Sequence, residues 1–226
     1  MAHVNYDMWS QYVKNLFQFA DLKVRKVVDL SCGTGSHLAF IKSKKIQVVG
    51  ADKSFEMLAS GKRNNLNFIV NDAKQIAFKS GSFDVALMLY DSINYLENDD
   101  NIIILLNEAE RILNPGGIFI FDFVTKEGLK ECFDEYYESN TWDGLAYQRR
   151  SWFNAARKTQ HNEFVFLYNG KSFMEEHTQY IRENDEWSRL VKKSKMNLIE
   201  EFSNFSFLPA DSKSERVHFV CRKENK

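Results

Sequence analysis

The chain has 226 residues, of which 44% are hydrophobic and 14% aromatic, and only two are prolines. This length and composition allow one α/β domain with a substantial core and argue against a disordered chain. The formal net charge of -1 makes nucleic acid an unlikely main partner, because proteins that bind it usually carry a basic face that neutralises phosphates.

The first half of the chain alternates short apolar runs with helical patterns. Strands are predicted at 26–30, 46–51, 67–70, 83–89 and 118–123, and helices at 35–44, 54–64 and 100–113. The fourth run is apolar almost throughout, as expected for a strand covered on both faces. A turn is predicted at 114–117, where the sequence reads Asn-Pro-Gly-Gly. Strands that alternate with helices at this spacing predict a doubly wound, parallel sheet.

The second half mixes aromatic, β-branched and charged residues. Three antiparallel strands are predicted at 142–153, 159–168 and 171–182, with a hairpin at Asn169-Gly170. They form an insert at 140–182 that acts as a cover on the main sheet or as a dimer surface. A helix at 185–196 and two strands at 198–207 and 216–222 close the chain. The whole prediction is an α/β protein with a mostly parallel, seven-stranded sheet and a small antiparallel β insert after strand 5.

Targeting and redox signals favour a cytoplasmic location. The three cysteines, Cys32, Cys132 and Cys221, are widely spaced and contain no CxxC pair, so neither a zinc site nor a disulfide framework is expected. Free thiols fit a reducing cytoplasm. Residues 1–9 lack the apolar core of a signal peptide. No run of about 18 apolar residues exists, so no membrane span is predicted.

The segment between the first strand and the first helix of the sheet is the strongest site signal. It reads Asp29-Leu30-Ser31-Cys32-Gly33-Thr34-Gly35. The two glycines let the backbone approach a ligand without Cβ clashes, and the helix that follows offers free N–H groups to polar ligand atoms. Many such turns only connect a strand to a helix, so the later strand ends decide between the two interpretations.

Polar residues follow each of the next three strands. Asp52 ends the second strand about 20 positions after the glycine turn, where an acid can accept hydrogen bonds from ribose hydroxyls. Asp72 and Ala73 follow the third strand, where an adenine edge would lie, and Tyr90-Asp91 follow the fourth. Open α/β sheets bind ligands at these carboxyl ends of parallel strands.

Five segments in this order resemble the motifs of the class I S-adenosylmethionine-dependent methyltransferases. They are VVDLSCGTGSH, VVGADKS, NDAKQI, FDVALMLYDSINYL and LNPGGIFIFDF. The resemblance covers residues 25 to 125 and the two closing strands, and it implies a single Rossmann-like methyltransferase domain over 1–226. Ser31 stands where the family more often has glycine. Residues 6–19 and the inserted strands resemble the small-molecule branch of the family, in which sugar-amine N-methyltransferases are one group.

The resemblance implies S-adenosylmethionine as the cofactor and assigns residues to it. The glycine turn would surround the amino-acid part, Asp52 would hold the ribose hydroxyls, and Asp72 and Ala73 would meet the adenine. Lys53 and Met57 would line the adenine pocket, and Leu89 and Tyr90 would lie close to the sulfonium. The expected cofactor-binding residues are Asp29, Ser31, Cys32, Gly33, Gly35, Asp52, Lys53, Met57, Asp72, Ala73, Leu89 and Tyr90.

Catalysis by such a protein consists mainly of aligning an acceptor lone pair with the methyl–sulfur bond. A base is needed only for a protonated acceptor, and Asp91 and His177 are the candidates, with Tyr90 orienting the acceptor. Structural roles for Asp91 and His177 stay open at this point. Tyr6, Trp9 and Tyr12 share a helix face that either packs or covers the cofactor.

Other functions fit the sequence less well. A dehydrogenase would have a third glycine where Leu38 stands. A DNA-amino methyltransferase would resemble its family by an Asn/Asp-Pro-Pro run after the fourth strand, and an RNA cytosine enzyme by a cysteine there. This chain reads Tyr-Asp-Ser-Ile at 90–93 and has neither feature. Asp91 and Asp122 alone argue weakly for a metal, and none is expected. The prediction is a small-molecule methyltransferase acting on nitrogen or oxygen, as a monomer or homodimer; the alternative is a catalytically silent, cofactor-binding regulatory or scaffold protein.

Overall fold

The computed structural model describes residues 5–61, 65–132, 135–142 and 144–225, which form five α-helices and eleven β-strands. The helices are α1 (Tyr6–Leu16), α2 (Ser36–Ile41), α3 (Phe55–Ser60), α4 (Asp99–Ile112) and α5 (Asn184–Lys193). The strands are β1 (Lys26–Asp29), β2 (Gln47–Asp52), β3 (Asn67–Val70), β4 (Phe83–Met88), β5 (Leu113–Val124), β6 (Tyr136–Trp142), β7 (Leu145–Asn154), β8 (Thr159–Tyr168), β9 (Lys171–Tyr180), β10 (Asn197–Ser203) and β11 (Arg216–Arg222).

The main sheet has seven strands in the order β10-β11-β5-β4-β1-β2-β3. Strands β1 to β5 pair in parallel, and β11 is antiparallel to both β5 and β10. The strand order reverses between β1 and β4, which is where open α/β sheets form a ligand-binding crevice. The predicted doubly wound, mostly parallel sheet is therefore confirmed.

Side chains on the central strands alternate between two buried layers. Phe119 and Phe121 of β5 pack on the side of α4 and α5, where Trp187 is fully buried. Ile118 and Ile120 point to the opposite face, toward α1 and α2. A strand that is covered on both faces needs apolar residues at every position, and this explains the continuous apolar run of β4.

The predicted turn at 114–117 lies at the start of β5, as a bulge between two strand pairs. Phe83 pairs with Leu113, yet Val85 pairs with Ile118, so the residues between bulge out of the ladder. Gly116 has a φ of +76°, which only glycine adopts at little cost. The predicted turn therefore lies within β5, which begins at Leu113 and not at the predicted residue 118.

The insert is a four-stranded antiparallel sheet in the order β6-β7-β8-β9. The prediction of three strands starting near residue 140 was wrong, because the run assigned to one strand contains a hairpin. Its turn lies at Gly144, whose φ is +78°, and β6 already begins at Tyr136. The hairpin at Asn169-Gly170 is confirmed, and both residues have the positive φ that a type I′ turn requires.

Several helix ends differ from the predictions. Helix α2 ends at Ile41 and α3 at Ser60, whereas the patterns predicted 44 and 64; residues 62–64 lie outside the described residues. Gly61 follows α3 so closely against the glycine turn that a Cβ there would lie 2.3 Å from the Thr34 carbonyl oxygen. No helix in the described ranges is both long and apolar enough to cross a membrane.

Helix α4 supplies a direct test of local stability. The side chain of its N-cap, Asn98, accepts a hydrogen bond from the Asn101 N–H at 2.9 Å. We expect Asn98→Ala to lower the free energy of unfolding by about 1 kcal/mol, because the first turn loses its side-chain acceptor. Urea denaturation measures the change. Asn98→Asp, which keeps an acceptor, should lie close to wild type; an equal loss in both variants would contradict the capping role.

Candidate active site

The turn between β1 and α2 approaches its neighbours too closely for larger residues. Gly33 and Gly35 have φ values of +54° and +69°, and a Cβ on Gly35 would lie 2.7 Å from the Phe68 ring. Asp29 is fully buried, and its carboxylate accepts the Ser31 N–H at 2.9 Å. The Cys32 N–H donates to the Ala51 carbonyl at 3.0 Å. These bonds hold the turn across the ends of β1 and β2.

Asp52 connects the glycine turn to the helix after β2. One carboxylate oxygen accepts the Gly33 N–H at 2.8 Å, and the other accepts the Ser54 N–H at 2.9 Å. Met57 covers the turn, since its terminal methyl lies 3.2 Å from where a Cβ on Gly33 would be. Lys53 is exposed beside them. The structure therefore brings Asp52 and Met57 to the glycine turn.

The segment after β3 lies one strand further along the same edge. Asn71 anchors it: its N–H donates to the Asp52 carbonyl at 2.9 Å, and its side-chain oxygen accepts the Ala77 N–H at 2.8 Å. The Asp72 side chain is exposed and accepts the Lys74 N–H at 2.9 Å. Ala73 is half-buried. Asp72 is thus placed beside Asp52 through its neighbour Asn71.

Two buried polar atoms near the glycine turn have no hydrogen-bond partner within the described residues: the Ser31 hydroxyl and the Tyr90 hydroxyl. Leaving such groups unpaired costs roughly 1–3 kcal/mol each. His37, the second residue of α2, brings its Nε2 to 2.6 Å from the Asp29 carboxylate, and its ring contacts Tyr90 edge-on. This polar and close-fitting surface suits a polar ligand.

The end of β4 has an unusual backbone. Leu89 is buried, and the two residues after it, Tyr90 and Asp91, both have positive φ, at +60° and +51°. The fully buried carboxylate of Asp122, at the end of β5, accepts both of their N–H groups, at 2.7 Å and 3.1 Å. Arg216 of β11 pairs with Asp122 and also with Asp91, the latter at 2.7 Å.

These charges affect the protonation of Asp91. Burial raises the pKa of Asp91, and the neighbouring Asp122 raises it further, while Arg216 acts in the opposite direction. Burial likewise raises the pKa of Asp122, again opposed by Arg216. Two carboxylates thus share one guanidinium, and a carboxylate in this setting holds a proton more readily than one in water.

The aromatic face of α1 covers Tyr90. Trp9 stacks on the Tyr90 ring with centroids 4.0 Å apart and planes 12° apart, and Tyr6 lies 6.1 Å from the same ring. Tyr12 donates from its hydroxyl to the Ser206 carbonyl at 3.1 Å. Burial raises the pKa of Tyr90. The contacts agree with the packing interpretation of this helix face, because its side chains cover the residue that follows β4.

The insert closes over the same end of β4. Gln179 of β9 donates to the Asp91 carboxylate, and Asn94 donates to the Tyr180 carbonyl at 3.2 Å. His177 lies two residues before Gln179, and its Nδ1 is 3.3 Å from the Tyr95 hydroxyl. Burial raises the pKa of Tyr95 to about 12. His177 and Asp91 therefore both lie where the insert meets the end of β4, but they hydrogen-bond to different residues.

Sequence reasoning missed three residues of this site. Asp122 was considered only as a metal ligand, and nothing in the local pattern marked Gln179 or Arg216. The one signal in the sequence was the acid at Asp122, which lies at the carboxyl end of the fifth predicted strand. Within the described parts of the chain, no group of three or more His, Cys, Asp and Glu side chains is arranged to hold a metal. Asp91 and Asp122 instead contact Arg216.

Comparison with known proteins identifies several similar chains. Residues 27–117 match the family described as "Methyltransferase domain". The putative methyltransferase YqeM of Bacillus subtilis (strain 168) is 26% identical over 233 residues, which cover 99% of this chain and 92% of that protein.

Two solved structures share the fold over nearly the whole chain. An S-adenosylmethionine-dependent methyltransferase from Clostridium acetobutylicum ATCC 824 has a TM-score of 0.86 at 21% identity, covering 99% of this chain and 94% of that one. The sugar N-methyltransferase KedS8 from Streptoalloteichus sp. ATCC 53650 has a TM-score of 0.79 at 16% identity, covering 97% and 88%. The family match at 27–117 contains the glycine turn, Asp52 and the β4 end.

Proposed function

We propose that the chain is a class I S-adenosylmethionine-dependent methyltransferase that methylates a nitrogen or oxygen atom of a small polar molecule. The observation that carries the proposal is the contact between the insert and the β4 end, where Gln179 meets Asp91. It brings the amide of Gln179 to the carboxylate that directly follows Tyr90. The likeness to a sugar N-methyltransferase supports an acceptor of this kind.

The glycine turn fits the amino-acid part of S-adenosylmethionine. Among the described residues, none hydrogen-bonds to the buried hydroxyls of Ser31 and Tyr90, and Gly33 and Gly35 leave room for close approach. Asp29 supplies a buried carboxylate for an ammonium group. Cys32 and Leu89 complete this wall and are buried. The cofactor supplies an activated methyl group as a sulfonium, while these residues bind and orient it.

The ribose and adenine would lie along the edge of β2 and β3. Asp52 accepts two backbone N–H groups and retains lone pairs for ribose hydroxyls. Lys53 and Met57 would flank the adenine. Asp72 is exposed and free to accept from the adenine amino group, with the Ala73 N–H as the donor beside it.

The inward face of the insert supports a polar acceptor. Strand pairing places Gln160 opposite Gln179 and Asn162 opposite both His177 and Ser151. Four of these side chains are buried, namely Ser151, Gln160, Asn162 and Gln179. Ser151 already donates to Asn162, and Gln179 to Asp91. A hydroxyl or amine group can join such a network, whereas hydrocarbon placed against it offers the polar groups no hydrogen bond.

Asp91 is the proposed proton acceptor for an ammonium or hydroxyl acceptor. Burial raises the pKa of Asp91, which makes it a better base than an ordinary carboxylate near neutral pH. Its oxygens already contact Arg216 and Gln179, so the carboxylate has a defined orientation. Tyr90 would orient the acceptor next to the methyl group, and His177 would act from the β9 side.

Asp52→Ala tests the cofactor assignment by calorimetry. We expect S-adenosylmethionine to bind the wild-type protein, and the variant to bind it at least about tenfold more weakly, because hydrogen bonds to a charged group contribute roughly 1.5–3 kcal/mol each. Glu56→Ala, an exposed acid on the next turn, is the matched control and should bind normally. No binding, or tighter binding of NAD, would contradict the proposal.

Transfer of a tritiated methyl group then tests the acceptor class. Amines and amino sugars are offered first, then hydroxylated molecules without nitrogen, then extended apolar quinols. We expect turnover only in the first two groups. Preferred methylation of the quinols would contradict the polar acceptor, and cofactor binding without any turnover would favour the regulatory alternative.

A further inference from the structure

We propose that Asp122 and Arg216 are positioning residues, which hold the Tyr90–Asp91 turn in the conformation that presents the Asp91 carboxylate to the acceptor. The catalytic consequence rests on the proposed function, but the structural claim does not. Among the described residues, neither side chain hydrogen-bonds to the glycine turn. Both act through the backbone and side chain of the residues after β4.

The backbone after β4 requires outside support. Two successive residues with side chains, Tyr90 and Asp91, occupy the left-handed region, which is unfavourable for any residue with a Cβ. Such conformations persist only where the surrounding structure holds them, and they cluster at functional sites. Here the turn directs the Tyr90 ring under Trp9 and the Asp91 carboxylate toward β9.

Asp122 supplies that support. Its carboxylate accepts the two N–H groups of the strained residues, at 2.7 Å and 3.1 Å, and is completely buried. One carboxylate with two oxygens matches two successive N–H groups pointing the same way. An asparagine at this position keeps one acceptor and replaces the other with a donor, which would face an N–H.

Arg216 compensates the buried negative charge of Asp122 and links this carboxylate to other parts of the site. The guanidinium pairs with Asp122 and, through its other nitrogen, with Asp91 at 2.7 Å. It also lies 5.6 Å from the centroid of the Trp9 ring. A planar fork can bridge two carboxylates in fixed geometry, which an ammonium cannot. Arg216 therefore ties the turn, β5 and the covering helix together.

Asp84 provides a matched control at the opposite end of β4. Its largely buried carboxylate also accepts two successive backbone N–H groups, from Arg25 at 2.7 Å and Lys26 at 2.9 Å. Asp84→Asn thus makes the same chemical change in β4, the strand next to β5, and at the opposite end of β4 from Asp91. Any general loss of stability will appear in both Asp84→Asn and Asp122→Asn, and only a local effect will separate them.

The test uses amide NMR of the full chain without added ligand. We expect the Tyr90 and Asp91 amide proton resonances to shift in Asp122→Asn and to stay in place in Asp84→Asn. This readout needs no acceptor, so it separates the positioning claim from the proposed function. Unchanged Tyr90 and Asp91 resonances in Asp122→Asn, or equal shifts in the control, would overturn the proposal.

Protonation of Asp91 gives a second readout, by 13C NMR of labelled aspartate carboxyls. Among the described residues, the charged and titratable groups that interact with Asp91 are Arg216, Asp122 and Tyr95. We expect Arg216→Met to move the Asp91 titration to higher pH and Arg216→Lys to restore most of the change. Equal titration in wild type and Arg216→Met would contradict the role of Arg216.

With an acceptor in hand, kinetics test the catalytic consequence. We expect Asp122→Asn to lower kcat about 100-fold, because small misplacements of a catalytic group have effects of this size, with little change in the acceptor KM. Asp84→Asn should retain kcat. A raised KM at normal kcat in Asp122→Asn would show that it affects binding alone, against the positioning role.

Discussion

Asp91→Asn is expected to lower kcat for methyl transfer by about 10²–10⁴-fold, the range measured for loss of a general base. The side chain keeps its shape, and its one remaining oxygen still accepts a hydrogen bond from Gln179 or Arg216, whereas the negative charge that accepts the acceptor proton is lost. S-adenosylmethionine should bind the variant with nearly unchanged affinity, since Asp91 lies beyond the glycine turn. Radiometric assays with an acceptor that the wild-type protein methylates measure kcat, and calorimetry measures the affinity for the cofactor.

Asp99→Asn is the matched control for this substitution. Asp99 lies eight positions further along, its side chain is mostly exposed, and it pairs with Arg182 at 3.2 Å. The change removes the same charge from an exposed residue at the start of α4, and activity should stay near wild type. Normal turnover by Asp91→Asn would mean that the acceptor arrives already deprotonated, and Asp91 would then be a structural residue.

The pH dependence of kcat also tests Asp91 as the base. Burial raises the pKa of Asp91, so the carboxylate is protonated, and unable to act as a base, at higher pH than an ordinary aspartate. We expect kcat to fall on the acid side as this group takes up its proton. That acid limb should be absent from the residual rate of Asp91→Asn.

His218 is expected to make the protein sensitive to acid. This residue of β11 is fully buried beneath Trp9 and Tyr12. Burial, together with the positive charge of Arg216, lowers its pKa to about 3. In the unfolded chain the same ring takes up a proton near pH 6.5. Below pH 6.5 the unfolded state therefore binds a proton that the folded state does not, and stability falls as the pH falls toward 3.

The size of this effect follows from proton linkage. Each unit of pKa difference corresponds to about 1.4 kcal/mol, so His218 alone would lower the free energy of unfolding by about 4 kcal/mol between pH 7.5 and pH 3.5. The buried carboxylates Asp91 and Asp122 act in the opposite direction, because their raised pKa favours protonation in the folded state. Wild type and a His218 variant both contain Asp91 and Asp122, so the difference between their pH curves removes the contribution of these carboxylates.

His218→Phe isolates the histidine contribution. The phenylalanine ring fits among the aromatic neighbours and cannot be protonated, so urea denaturation should show a much flatter decline between pH 7 and pH 3.5. Phe219→Leu, at the next and equally buried position, is the control: its loss of stability should be the same at every pH. Parallel pH curves for wild type and His218→Phe would rule out the proposed linkage.

The site could be predicted only as far as local patterns reach. Strand ends followed by Asp29, Asp52, Asp72 and Tyr90 are visible along the chain, and parallel pairing brings them to one edge. The partners of Asp91 are not visible in this way. Arg216 lies 125 positions from Asp91 and Gln179 lies 88 positions away, both on antiparallel strands whose register leaves no mark in the sequence.

The sequence by itself determined the order of strands and helices, the buried central sheet and the glycine turn, because periodic apolar residues and glycines act within a few positions. Tertiary structure alone decided that the insert has four strands, that α1 stacks Trp9 on Tyr90, and that Asp122 and Arg216 hold the β4 turn. These features depend on which distant surfaces meet, and on buried charges that are stable only when a partner from another strand compensates them.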